Sequence, residues 1–126
     1  MKILIADDKP HFRRELRRLI EQHDDWSVCA EAEDGLEAVY QAKQFKPDLI
    51  VLDLAMPELN GFEASAQISK ALPSVPILLL TLYASPVVEK KAEKVGVQRV
   101  ISKASASMLI PAIEEAFARV HRGNEA

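Results

Sequence analysis

Five short apolar runs, at residues 2–6, 27–31, 48–53, 77–81 and 99–102, punctuate the chain, and each has the length of a β-strand. Between and after them lie segments whose apolar residues fall three or four positions apart and so share one helical face. Strand and helix thus alternate five times, a pattern that argues for a parallel sheet covered on both faces. The third and fourth runs, LIVL at 49–52 and ILLL at 77–80, support this, because a sheet buried on both sides loses the polar alternation of a half-exposed strand. Right-handed crossovers would then point the carboxyl end of every strand toward one edge. In such folds ligands bind outside those ends, where the strand order reverses.

The helical stripes differ in quality. Phe12, Leu16, Leu19 and Ile20 form the first, among Arg and Glu; Leu36, Val39 and Tyr40 form the second. The third, over about 61–72, rests on Phe62, Ala66 and Ser69 and is diluted by Ala and Ser. The fourth carries Val88, Ala92 and Val95, with Ser85 as N-cap, Pro86 in the first turn and Gly96 as a left-handed cap. Leu109, Ile113, Ala116, Phe117 and Val120 make the last and cleanest stripe. Pro111 cannot donate an N–H, so this helix is expected to begin near residues 105–107 or to bend in its first turns.

Composition narrows the classes. A chain of 126 residues, 48% hydrophobic, can bury roughly two-thirds of its unfolded surface as one domain without disulfides or a structural metal. Cys29 is the single cysteine, which excludes an internal disulfide and reads as a core thiol. No apolar run approaches the ~20 residues of a membrane helix. Two acids interrupt the N-terminal run before a signal-peptide core could form, so a cytoplasmic protein is expected. Sixteen basic residues against nineteen acidic ones give no excess of the kind that grips nucleic acid.

The residues that end the strands are Asp7 and Asp8, Glu33 and Asp34, Asp53, Thr81 and Lys103. Asp53 follows four apolar residues, so its carboxylate is expected to be partly desolvated and to need a cation or hydrogen-bond donors. Lys103 is the obvious protein cation. Asp7, Asp8 and Asp53 together set three negative charges against one positive, a repulsion of several kcal/mol at ~4 Å even at an effective dielectric of ~20. A divalent cation would relieve it, and a few hard oxygen ligands with room for water and phosphate oxygens suit Mg2+ better than a caged Ca2+.

Asp7-Asp8, Asp53 within LDLAMP at 52–57 with Gly61 following, Thr81 closing one apolar strand and Lys103 closing the next resemble the receiver domain of bacterial two-component response regulators. The resemblance spans about residues 2–122 and leaves 123–126 as a tail or the start of a linker. The Ala/Ser-rich segment after Lys103 looks most like the NarL/FixJ subclass, whose members usually carry a C-terminal helix-turn-helix. The resemblance implies a flavodoxin-like, doubly wound five-stranded fold with strand order 2-1-3-4-5. Asp53 would take a phosphoryl group from a histidine kinase or a histidine phosphotransfer protein. Asp8 and Asp53 would hold Mg2+, with Asp7 acting directly or through water and the Ala55 backbone carbonyl completing the set. Lys103 and Thr81 would contact the phosphoryl oxygens. The domain would catalyse only its own phosphorylation and dephosphorylation, and the phosphorylated form would change its contacts with partners or pair with a second copy. The movable region would be the fourth strand, fourth helix and fifth strand. A chain of this length leaves no space for an output module, so output would run through protein contacts or through a longer regulator.

The chain departs from the family at two places. Many receivers carry an aromatic ring three residues before the lysine; Val100 stands there, and Tyr83 is the nearest ring in sequence to Thr81. Leu82 follows Thr81 where a smaller residue is usual, which predicts slow phosphorylation and slow loss. Simpler readings compete. Asp7-Asp8 before Pro10 can act as a helix N-terminal cap, Glu33-Asp34 can cap the second helix, and His11, His23 and His121 can sit in solvent. Arg13, Arg14, Arg17 and Arg18, like Lys90, Lys91 and Lys94, read as wet helix faces or partner surfaces. A Mg2+-dependent aspartate-nucleophile phosphatase usually has its nucleophile on the first strand in an Asp-x-Asp pair, which Asp53 does not match. A flavin carrier would need a Ser/Thr-rich phosphate loop where Asp7-Asp8-Lys9-Pro10 stands. A receiver-like module that only binds partners is the remaining alternative.

Overall fold

The computed structural model describes residues 1–125, with side chains through Val120. Its elements run β1 (Lys2–Ala6), α1 (Pro10–Glu21), β2 (Ser27–Ala32), α2 (Gly35–Phe45), β3 (Leu49–Asp53), α3 (Gly61–Ala71), β4 (Ile77–Thr81), α4 (Pro86–Lys94), β5 (Arg99–Ser102), a 3-10 segment (Lys103–Met108) and α5 (Leu109–Glu125). The five strands are all parallel and lie in the order β2-β1-β3-β4-β5. This is the flavodoxin-like doubly wound arrangement expected, with order reversing between β1 and β3.

Strand alternation divides the interior into two cores. Ile3, Ile5, Leu49, Val51, Leu78 and Leu80 pack with Leu16 and Ile20 of α1 and with Leu109, Ile113 and Phe117 of α5. Leu4, Ala6, Ile50, Leu52, Ile77 and Leu79 face the other way, onto Ala38 and Ala42 of α2, Ala64 and Ile68 of α3, and Ala92 of α4. Side chains along a strand alternate faces, so three consecutive apolar residues feed both layers.

Several local expectations hold. The Ser85 side chain accepts from the Val88 amide, Pro86 opens α4, and Gly96 sits at φ 91 in the left-handed region. Asp34 caps α2 by accepting from the Glu37 amide at 2.7 Å. Other expectations need correction. Leu36 and Tyr40, expected on the buried stripe of α2, are 56% and 68% exposed, and the buried face is Gly35, Ala38, Val39 and Ala42. Small residues let α2 approach the sheet and α3 closely, which turns its large side chains outward. In α3 the buried face is Gly61, Ala64, Ser65 and Ile68, leaving Ala66 exposed for the same reason. α5 begins at Leu109, later than expected, because the 3-10 segment takes up the chain after Lys103 and kinks at Ser105. Pro111 then falls in the first turn of α5, where its missing N–H leaves no bond unmade. His23 is half-buried and stacks on Trp26 at 3.8 Å between ring centroids; His121 lies beyond the described side chains.

The loop from β3 to α3 is held firmly at its far end. Asn60 and Glu63 form a reciprocal capping box, at 2.9 and 3.0 Å. The Gly61 amide donates to the Leu54 carbonyl at 2.8 Å. A Cβ at Gly61 would lie 2.6 Å from the Asp53 carbonyl oxygen, so only glycine lets α3 begin this close to the strand end.

Candidate functional site

Register places the site. Ala6 pairs with Leu52, so Asp7 and Asp53, one step further on, leave adjacent strands side by side. Thr81 pairs with Ser102, so Lys103 emerges one residue beyond, at the same edge. Four of the strand-end residues named from sequence converge there. Asp7 is 1% and Asp53 5% exposed. The Lys103 ammonium donates to Asp7 Oδ2 at 2.8 Å and lies 3.3 Å from Asp53 Oδ2. Oxygens of Asp7, Asp8 and Asp53 all lie within 4.8 Å of one another.

The electrostatics follow from burial. Desolvation pushes the Asp53 carboxyl above its ordinary value, and the neighbouring Asp7 charge pushes it the same way. The Lys103 ammonium and the Ala55 amide pull it back. Asp7 has a second donor, the Lys9 amide at 2.9 Å from Oδ1. Asp8 differs: its Oδ1 is shielded from water yet accepts no hydrogen bond, and the nearest cation, the Lys9 ammonium, is 3.9 Å away. Such an orphaned carboxylate oxygen is costly unless something occupies its lone pairs. An oxygen-only set holding one orphan, with a net charge of about minus two after Lys103, fits a small hard divalent cation such as Mg2+.

Thr81 joins the edge but not the cluster. It is fully buried, and its hydroxyl accepts from the Tyr83 amide at 3.0 Å. Ala55 is exposed on the loop beside Asp53, and Val100 is half-buried in β5 with no ring in its place. Tyr83 does not supply one, because it is 63% exposed, as is Leu82. Glu33 stays outside the acid cluster, paired with Arg13 at 3.7 Å, and His11 is exposed.

Two residues at this edge were read from sequence only as helix-face positions. Arg13, expected on a wet face or a partner surface, instead turns inward: Nη1 donates to the Asp7 carbonyl at 2.8 Å and Nε to Glu31 at 3.0 Å. Phe12, assigned to the core stripe, also presents its ring 4.2 Å from the Lys103 ammonium. The available signal was Pro10, which starts α1 directly after the strand-end acids and so lays its first turn over the site.

A parallel, doubly wound sheet that gathers three carboxylates and a buried lysine at the carboxyl ends of its strands defines a flavodoxin-like α/β domain whose chemistry sits at the topological switch point. The chain belongs to the response regulator receiver domain family, whose model matches residues 3–114. It is 36% identical over 117 residues to the chemotaxis protein CheY of Listeria monocytogenes, covering 92% of this chain and 98% of that protein. It is 33% identical over 123 residues to the transcriptional regulatory protein LnrK of Bacillus subtilis, covering 98% of this chain but only 54% of the relative. The chain therefore spans about half the length of that regulator. Among solved structures it is similar to a LuxR-family two-component response regulator from Aurantimonas sp. SI85-9A1, with a TM-score of 0.89 and 33% identity, covering 93% of this chain and 84% of the other. That neighbour agrees with the subclass expected from the segment after Lys103. Receiver domains typically use Mg2+ and work with sensor kinases. Among the described residues no helix is long and apolar enough to cross a membrane.

Proposed function

We propose that Asp53 is the phosphoacceptor of a two-component phosphorelay, taking a phosphoryl group from the phosphohistidine of a sensor histidine kinase or a histidine phosphotransfer protein. A carboxylate oxygen of Asp53 attacks phosphorus in line. The phosphorus–nitrogen bond breaks as the oxygen–phosphorus bond forms, and its electron pair returns to the donor imidazole. The observation that carries this reading is the Asp53 carboxylate itself, buried yet flanked by Lys103 at 3.3 Å in a chain of the receiver family.

The surrounding residues have positioning and electrostatic tasks. Lys103 counters the upward push of burial on the Asp53 carboxyl and then meets the charge on the incoming phosphoryl oxygens. The Thr81 hydroxyl, which accepts from the Tyr83 amide, keeps its O–H to donate to the phosphoryl group. Asp7, Asp8, Asp53 and the Ala55 carbonyl would hold Mg2+, and the orphaned Asp8 Oδ1 supports that assignment. Bound there, the cation would offset negative charge on the phosphoryl oxygens during transfer.

Phosphorylation adds roughly 1.5 to 2 negative charges beside Thr81 and Lys103, enough to favour a second arrangement of β4, α4 and β5. The domain catalyses only its own gain and loss of phosphate. Its output passes to a partner or a second copy. By analogy with the longer transcriptional regulator it resembles, α5, which runs on through 123–125 where the sequence suggested a tail, would lead toward a DNA-binding domain.

The test is intact mass after incubation with Mg2+ and a small acyl-phosphate donor. Wild type gains one phosphoryl group and Asp53→Asn gains none. An adduct that persists on Asp53→Asn, or that never forms on wild type, contradicts the proposal.

A further inference from the structure

The Lys103 ammonium has three directions to satisfy and 7% of its side chain exposed. Asp7 accepts from it at 2.8 Å, and Asp53 Oδ2 lies 3.3 Å away as an ion-pair partner. The same nitrogen lies over the Phe12 ring, 4.2 Å from its centroid and inside the ~6 Å range of a cation–π contact. Phe12 is the third residue of α1, and the same ring packs against the core formed with α5. It therefore ties the position of the lysine to the body of the fold.

We infer that Phe12 is a positioning residue for phosphoryl transfer, its π face holding the Lys103 ammonium between Asp7 and Asp53 and keeping water from it. The inference rests on the reading of Asp53 as phosphoacceptor. The two carboxylates compete for the ammonium. Asp7 forms the shorter contact, so an unrestrained ammonium can collapse onto Asp7 and leave Asp53 without its counter-charge. A non-directional π face lets the ammonium shift between the two carboxylates at little cost, whereas a water molecule in the ring's place would compete as a hydrogen-bond acceptor. A desolvated cation over an aromatic face is also held more strongly than an exposed one.

A leucine of similar bulk would fill the same space without the quadrupole, which separates this role from packing. In the full chain with Mg2+ and acetyl phosphate, Phe12→Leu is expected to slow formation of the Asp53 adduct by roughly 3- to 30-fold, while Phe12→Tyr stays near wild type. Replacing Phe12 with mono-, di- and trifluorinated phenylalanine, which weakens the π face at nearly constant size, should lower the rate stepwise. A flat fluorine series, or an unchanged rate in Phe12→Leu, overturns the inference even when wild type phosphorylates normally. A second readout does not depend on phosphorylation. The terminal Lys103 side-chain resonances should show an upfield ring-current shift in wild type that disappears in Phe12→Leu. Its absence in wild type overturns the contact itself. Failure of wild type to form an adduct sinks the phosphoacceptor reading first and this role with it.

Discussion

The two halves of the strand-end edge are built on opposite terms. Around β1 and β3, Asp7, Asp53 and Lys103 are nearly sealed from solvent, joined at 2.8 and 3.3 Å and backed by Phe12 and Arg13. Around the end of β4 and the start of α4, Leu82, Tyr83 and Val87 are 63–65% exposed, and the Thr81 hydroxyl accepts from the amide two residues on. The first half can hold charges in fixed geometry because burial and mutual pairing restrict them. The second has few contacts to lose, so a small change beside Thr81 can rearrange it. On the proposed function, chemistry and readout would sit next to each other on segments of different contact density.

Breaking the sealed half should have the largest effect. Lys103→Ala leaves two buried carboxylates facing each other, and loss of about 3 kcal/mol of stability at neutral pH is expected in Mg2+-free denaturant unfolding. Added Mg2+ should recover much of it, and no loss in the absence of metal would show that the pair is solvated. Asp53→Asn should move stability the other way. Because the folded carboxyl of Asp53 lies above its ordinary value, the native state binds more protons than the unfolded chain between the two values. Wild-type stability without metal is therefore lost as pH rises through that window, whereas Asp53→Asn removes this loss and is the more stable protein at neutral pH. Unfolding curves from pH 4 to 8 check both points, and a variant that is less stable than wild type at pH 7 would contradict the assigned cause. On the exposed half, Leu82→Ala should change stability by less than about 0.5 kcal/mol, as surface substitutions do. Its effect should appear in kinetics instead, as faster gain and loss of the phosphoryl group. If neither rate changes, Leu82 does not screen the site.

The same contrast explains what the sequence made legible. Alternating strand and helix patterns specify a doubly wound sheet because burial on both faces leaves a mark in consecutive residues, as at 49–52 and 77–80. The acid and lysine positions were readable because each directly ends a strand or follows one, and a parallel sheet brings all such ends together. Faces set by close approach were not readable. Nothing in the spacing of Leu36 and Tyr40 shows that α2 seats its Ala and Gly face, since that depends on how near α3 lies. Arg13 and Phe12 escaped for a related reason. Their partners, the Asp7 carbonyl and Lys103, are contacts across elements, and helical periodicity assigns only a side of the helix.

The central claim is that the phosphoryl group is carried by the carboxylate of Asp53. Borohydride reduces an acyl phosphate to an alcohol, so an aspartyl phosphate leaves homoserine in its place. Wild type treated with Mg2+ and acetyl phosphate, reduced and mapped by peptide mass spectrometry, should show homoserine at position 53 and nowhere else. Homoserine at Asp7 or Asp8, or a phosphoryl adduct that survives reduction on another residue, would contradict the account.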